Sequence, residues 1–200
     1  FKKVIFSYTV YGDDFIDAFL EFSLPSILQN KNIPLIFERG YEIEVIIFTS
    51  NEKEREQIIK NDLIIELKKF AIVNIHIFSA NSNIKYNDIK LFGMYEAINK
   101  SIIENAPLFW VAPDDFYGDG SLSNLISLVD SDKDFIFSSH PRVKWSTINE
   151  IKKLLNGNKH TPISNRQLVK IAMENLVDVQ RVCFDDNERT LPGVSLKKIH

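Results

Sequence analysis

Leu108-Phe109-Trp110-Val111-Ala112-Pro113-Asp114-Asp115 runs from four consecutive apolar residues straight into a proline and two carboxylates. Four large apolar side chains that do not alternate with polar ones suit a short strand covered on both faces, as in a parallel sheet between helices. Pro and Asp end such a strand, because proline lacks the N–H that a ladder needs and both residues favour turns. The stretch therefore reads as a buried strand that delivers two acidic groups at its carboxyl end. Neighbouring carboxylates repel one another, and burial raises their pKa, so a cation relieves the cost of holding them together. A hard divalent ion is commonly held by one or two carboxylates plus substrate phosphates and water. A simple Pro-Asp turn capping the helix that begins near Asp119 accounts for the same residues without a ligand, and both readings stay open.

Working outward, the same kind of apolar run recurs at Val4-Ile5-Phe6, Ile43 to Phe48, Ile72 to Phe78 and Phe135-Ile136-Phe137. Between the runs lie segments of helical period. Asp14 to Leu28 carries Phe15, Phe19, Phe22 and Leu24 towards one side, Glu52 to Leu67 follows a capping Asn51, and Asp88 to Glu104 presents Leu91, Met94, Tyr95, Ile98 and Ile102 as its apolar stripe. A further helix starts at Asp119-Gly120-Ser121 and ends near Val129. Strands alternating with helices predict an α/β fold with a mostly parallel central sheet. After about residue 145 the pattern turns helical, with segments at Thr147 to Leu155 and Asn165 to Leu176 joined by a turn-rich loop. The expectation is a single domain over 1–200, with an α/β core at 1–145 and a helical lid or acceptor-side extension at 146–200.

Composition sets limits on the function. The chain has 200 residues, 44% of them hydrophobic and 26% charged, with a net charge of −3, which fits an ordinary globular domain. A chain of this length can bury roughly 70% of its unfolded surface without disulfides. The absence of a broad basic face argues against nucleic acid as a partner. No apolar run approaches a membrane span, and the first residues lack a signal-peptide pattern. The lone Cys183 excludes an internal disulfide and makes a reduced cytoplasmic compartment the expectation, with the inner face of a membrane as a peripheral alternative. A start at Phe1 instead of Met leads us to expect a processed or truncated piece, with residues that complete the site lying beyond it.

In open parallel sheets ligands bind beyond the carboxyl ends of the strands. The loops to inspect are therefore Ser7 to Tyr11, Thr49-Ser50-Asn51, the segment with Ser79, Asn81 and Asn83, and Pro113-Asp114-Asp115. Neither G-x-G-x-x-G nor G-x-x-x-x-G-K-[ST] occurs, which counts against a dinucleotide oxidoreductase and a phosphate-loop NTPase. No G-x-S-x-G elbow is present, and His76, His140, His160 and His200 lack zinc-ligand spacing. Arg142, just past His140-Pro141, could neutralise a phosphate by paired hydrogen bonds, with a surface ion pair as the alternative. Lys90, in the first turn of its helix, is a second cation that could meet a phosphate or simply be solvated.

The order of strands and helices, with Trp110-Val111-Ala112-Pro113-Asp114-Asp115 after the fourth strand and Asp119-Gly120-Ser121 opening the next helix, resembles the Rossmann-like GT-A fold of nucleotide-sugar-dependent glycosyltransferases. The resemblance covers roughly residues 1–140. It implies that Asp114 and Asp115 hold Mg²⁺ or Mn²⁺ against the donor diphosphate, although Ala-Pro-Asp-Asp departs from that family's D-x-D pattern. It also implies that Ser7 to Tyr11, notably Thr9 and Tyr11, line the base and ribose, with Thr49 nearby, and that Lys90 and Arg142 add positive charge. A downstream acid, Asp185, Asp186 or Glu188, would be the base that deprotonates an acceptor hydroxyl. The implied partners are a nucleotide-sugar donor and a glycan or lipid-linked acceptor; a homo-oligomer is compatible with this reading. The rival readings are a sugar nucleotidyltransferase, whose Gly-rich basic loop after the first strand is missing here, and a non-catalytic nucleotide-binding α/β module.

Overall fold

The computed structural model describes residues 2–78, 86–129, 141–155 and 163–178. Four strands are present among them: β1 (Lys2–Thr9), β2 (Tyr41–Thr49), β3 (Ile72–Ile77) and β4 (Leu108–Val111). All pair in parallel, in the order β3-β2-β1-β4, with Tyr8 opposite both Ile47 and Val111. The expected α/β class and parallel sheet are therefore realised. The expected fifth strand at Phe135-Ile136-Phe137 lies outside the described residues.

Side chains of successive strand residues point to opposite faces, and the two faces are covered differently. On one face Val4, Phe6 and Tyr8 of β1 join Ile43, Val45 and Ile47 of β2 in the main core. That face is covered by α1 (Asp13–Ala18), α2 (Leu24–Ile27), α3 (Ile33–Glu38), α4 (Glu52–Ile59), α5 (Asp62–Leu67) and α7 (Ser121–Val129). Many of these side chains are fully buried, and each contributes roughly 1.5–3 kcal/mol relative to exposure. On the other face Ile5, Ile46, Phe48, Ala106 and Leu108 form a smaller cluster, against which α6 (Tyr86–Glu104) lies along β1. The change of face follows from the crossovers. From β1 to β3 the chain steps one way across the sheet, and from β3 to β4 it steps back, so right-handed connections place α6 opposite the earlier helices.

Three helices depart from the sequence expectation. The run Asp14 to Leu28 is not uniform: a π-helical segment at Phe19–Ser23 separates α1 from α2, one wide turn of a kind that often marks a functional site. The single helix expected over Glu52 to Leu67 is two, because the Asn61 side chain accepts the Leu63 N–H at 2.9 Å and caps a new start. The stripe expected on α6 is mostly outside the core, with Leu91, Tyr95 and Ile102 exposed at 47%, 62% and 71%. The helix approaches the sheet along Gly93 and Ala97 instead, small residues that allow close packing but contribute little to a hydrophobic pattern. α3 was not foreseen.

The helical extension is realised as α8 (Thr147–Leu155) and α9 (Asn165–Glu174). Ser164 opens α9 with a capping box completed by Gln167. Both helices pack on the π segment through a cluster that includes Phe22, Ile151, Leu155 and Ile171, and an isolated antiparallel bridge joins Val143 to Leu176.

Candidate functional site

The strand order reverses between β1 and β4, so their carboxyl ends lie side by side with no connecting helix between them. This switch point is where open α/β sheets bind ligands. Thr9-Val10-Tyr11 leaves β1 there, and Ala112-Pro113-Asp114-Asp115 leaves β4 beside it. Thr49-Ser50 ends β2 on the same edge. The loops expected to converge from these three strands do converge. Ser79, Asn81 and Asn83 lie outside the described residues, as do His140, Cys183, Asp185, Asp186 and Glu188.

The two aspartates behave differently. Asp115 is half-buried and closes the turn on itself: its Oδ2 accepts the Ala112 N–H at 3.2 Å and the Tyr117 hydroxyl at 3.1 Å. Asp114 is exposed. Burial, reinforced by Tyr8 and by the carboxylate of Asp115, pushes the Tyr117 hydroxyl far above the ordinary tyrosine range, so it remains a protonated donor to Asp115.

The acidic turn is anchored from below by residues 26–32. Ser26 Oγ accepts the Tyr117 N–H at 3.0 Å, and Gln29 Nε2 donates to the Tyr117 carbonyl at 3.1 Å. Asn32, wholly buried, donates to the carbonyls of Ser26 and Gly118 and accepts the N–H groups of Gly120 and Leu122. It thereby caps α7 from a distant part of the chain, a role the sequence reading gave to the aspartates near the helix start. Asp119 instead accepts the Lys31 N–H at 2.9 Å. The loop after β4 is thus held by buried polar side chains, and Asp114 is presented from a rigid base.

The other proposed contacts divide between loop surface and interior. Tyr11 is half-buried at the end of β1. Thr9 is buried on the α6 face, its hydroxyl close to Gly93, where an added Cβ would lie 3.0 Å from Thr9 Oγ1. Thr49 is fully buried and its hydroxyl donates to Glu54 at 2.8 Å. Lys90 sits in the second turn of α6, since that helix begins at Tyr86, and its ammonium lies 5.0 Å from the ring centre of the exposed Trp110 on β4. Arg142 is exposed beside the Val143–Leu176 bridge, and its carbonyl accepts the Val177 N–H at 3.0 Å.

Glu54 was missed by the sequence reading. It is only 8% exposed, and its two oxygens take four hydrogen bonds from the loops after β1 and β2. Oε1 accepts the Gly12 N–H at 2.9 Å, while Oε2 accepts the Ser50 N–H at 3.0 Å and the hydroxyls of Ser50 and Thr49 at 2.6 and 2.8 Å. Burial raises the pKa of its carboxyl, but these hydrogen bonds outweigh burial and hold it below the ordinary value. The sequence contained half of the signal: Asn51-x-x-Glu54 has capping-box spacing, and Asn51 Oδ1 does accept the Glu54 N–H at 3.0 Å. The reach of Glu54 to Gly12 belongs to the tertiary structure.

Among the described residues no group of three or more His, Cys, Asp or Glu side chains converges as a metal cage. Of the two carboxylates in this turn, Asp114 is the exposed one, while Oδ2 of Asp115 is engaged by the Ala112 N–H and the Tyr117 hydroxyl. No helix in the described residues is long and apolar enough to cross a membrane.

No family model matches the chain, and no curated protein matches it. Among solved structures the chain is similar to mouse xyloside xylosyltransferase 1 in its apo form, at 15% sequence identity and a TM-score of 0.40, over 82% of this chain and 61% of that one. It thus spans about three fifths of the length of that structure.

Proposed function

We propose that the switch-point crevice binds a nucleotide-sugar donor and that the protein is a GT-A-like glycosyltransferase, moving a sugar to a hydroxyl of a glycan or lipid-linked acceptor. The observation that carries this reading is the placement of Thr9-Val10-Tyr11 and Pro113-Asp114-Asp115 side by side where the strand order reverses. Tyr11 and its neighbours would receive the base and ribose. Asp114, with Asp115 behind it, would hold Mg²⁺ or Mn²⁺, which when bound supplies Lewis-acid stabilisation of charge on the leaving diphosphate. Lys90 and Arg142 would add positive charge to that stabilisation. Thr49, with its hydroxyl committed to Glu54, would support the edge from behind without touching the donor. The general base would come from Asp185 or Asp186, outside the described residues, and must come within hydrogen-bond reach of the acceptor hydroxyl.

A thermal-shift panel of UDP-, GDP- and CMP-linked sugars, with and without Mn²⁺, tests the reading. A ligand that binds only the native state raises the melting temperature by mass action, so the expected result is stabilisation by one donor class that grows when Mn²⁺ is added. Indifference to every nucleotide sugar overturns it.

A further inference from the structure

We infer that Glu54 is a positioning residue of the ligand edge, its carboxylate locking the Tyr11-Gly12 loop after β1 to the Thr49-Ser50 loop after β2. The inference rests on the reading of that edge as the donor site, which it deepens. Two of the four groups donating to Glu54 are backbone N–H groups, one from each loop and on opposite oxygens: Gly12 on Oε1 and Ser50 on Oε2. Backbone donors cannot turn round to become acceptors, so both arms of the side chain must accept. An ionised carboxylate does this; a carboxamide offers an acceptor on one arm and two donors on the other.

The clamp acts at Gly12, beyond the last core residue of the first loop, Val10. Gly12 has φ +81° and no heavy atom within 4 Å of where a Cβ would stand. As the residue before α1 it contributes no side-chain cap. The Val10 N–H donates to the Phe48 carbonyl at 2.8 Å, and the Gly12 N–H adds a second tie through Glu54 at 2.9 Å, so Tyr11 lies between two attachments to the end of β2. Glu54 in turn is fixed by its own helix, through the Asn51 cap and the burial of Ile58 one turn later. A rigid helix thus sets the spacing of two loops whose tips would meet the ligand.

The test compares wild type with Glu54→Gln and Glu54→Asp by amide hydrogen exchange and by calorimetric titration with UDP, GDP and CMP in the presence of Mn²⁺. In Glu54→Gln either the Gly12 or the Ser50 amide is expected to exchange at least tenfold faster, while Phe6 and Ile46 in the paired strands keep their protection. Whichever nucleotide wild type binds is expected to bind about tenfold or more weakly. Glu54→Asp is shorter by one methylene, so it should keep the Ser50 contact and release Gly12; it serves as the second variant should Glu54→Gln not fold. Wild-type protection at both amides overturns the clamp. Faster exchange with unchanged nucleotide affinity overturns its role in binding. Absence of nucleotide binding in wild type overturns the donor-site reading instead, and the amide data alone then decide whether Glu54 couples the loops.

Discussion

Asn32 caps a helix that begins some ninety residues further along the chain: its Oδ1 accepts the Leu122 N–H at 3.1 Å. The same oxygen takes the Gly120 N–H, and the amide nitrogen donates to the carbonyls of Gly118 and Ser26, so one buried side chain ties the loop after β4 to α2. Replacing Asn32 by Ala leaves the Gly120 and Leu122 N–H groups without their acceptor and removes an N-cap, while the Ser26 and Gly118 carbonyls keep the Gln29 and Ser121 N–H groups as donors. The expected cost is about 2–4 kcal/mol, read as a lower midpoint in urea unfolding. A change below about 0.5 kcal/mol would show that the loop finds other partners.

Asp114 and Asp115 should separate experimentally. Asp115→Ala leaves the Ala112 N–H and the buried Tyr117 hydroxyl without their acceptor and is expected to lower stability by about 1–3 kcal/mol. Asp114 is exposed, so Asp114→Asn should change stability by less than about 1 kcal/mol yet remove the Mn²⁺-dependent part of a nucleotide-sugar thermal shift. Survival of that shift in Asp114→Asn would move the cation away from this turn.

Gly93→Ala weighs helix propensity against space. Alanine is favoured over glycine inside a helix by about 1 kcal/mol, but its Cβ would stand 3.0 Å from both Thr9 Oγ1 and Phe48 Cδ2, and overpacking costs about 1–3 kcal/mol. We expect a net loss, seen as a melting temperature lower by about 2–6 °C. A rise in melting temperature would mean that α6 can slide outward on its sheet face.

Stability should fall at both ends of the pH scale for identifiable reasons. Burial raises the pKa of Glu44 and Glu54, but hydrogen bonds from Lys3, Lys100 and Asn74 to the first, and from Ser50, Gly12 and Thr49 to the second, hold both below the ordinary value of 4.5. Their stabilisation is present above about that pH and is lost as the pH drops through the depressed native values. Glu44→Gln should flatten the acid limb of a stability-against-pH curve; an unchanged limb would place the acid sensitivity elsewhere.

At the alkaline end, burial raises the hydroxyls of Tyr8 and Tyr117 above their usual value of 10.0. The unfolded chain then releases protons that the native state retains, so stability declines as pH rises beyond about 10. In an ultraviolet titration of the six tyrosines, Tyr8 and Tyr117 are expected to ionise only as the protein unfolds, and the Tyr117→Phe variant should remove one tyrosinate from that late phase. Smooth titration of all six below the unfolding transition would contradict the burial of these two hydroxyls.

Sequence alone determined the parts of this protein that rest on local pattern. Apolar runs located all four described strands, but burial on both faces explains them only for β1 and β2 in the middle of the sheet. β3 and β4 lie at the edges of the described sheet and are half-exposed, so the expectation that Leu108–Val111 is a buried strand is corrected, with Trp110 48% exposed. Asn51 as a cap and Pro113-Asp114-Asp115 as a strand-ending turn were legible because their partners lie within a few residues. Tertiary structure decided what depends on residues distant in the chain. The order β3-β2-β1-β4, and with it the crevice beside β1, follows from which strands pair and on which face each crossover runs, and the apolar runs themselves are silent on that. The exposed stripe of α6 misled because Gly93 and Ala97, which make the contact, have almost no hydrophobic signature. Asn32 was invisible as a site residue, and Glu54 half so, because a buried polar side chain is explained only by the groups it satisfies, and the decisive ones, Gly118, Gly120 and Leu122 for Asn32 and Gly12 for Glu54, are distant in the chain.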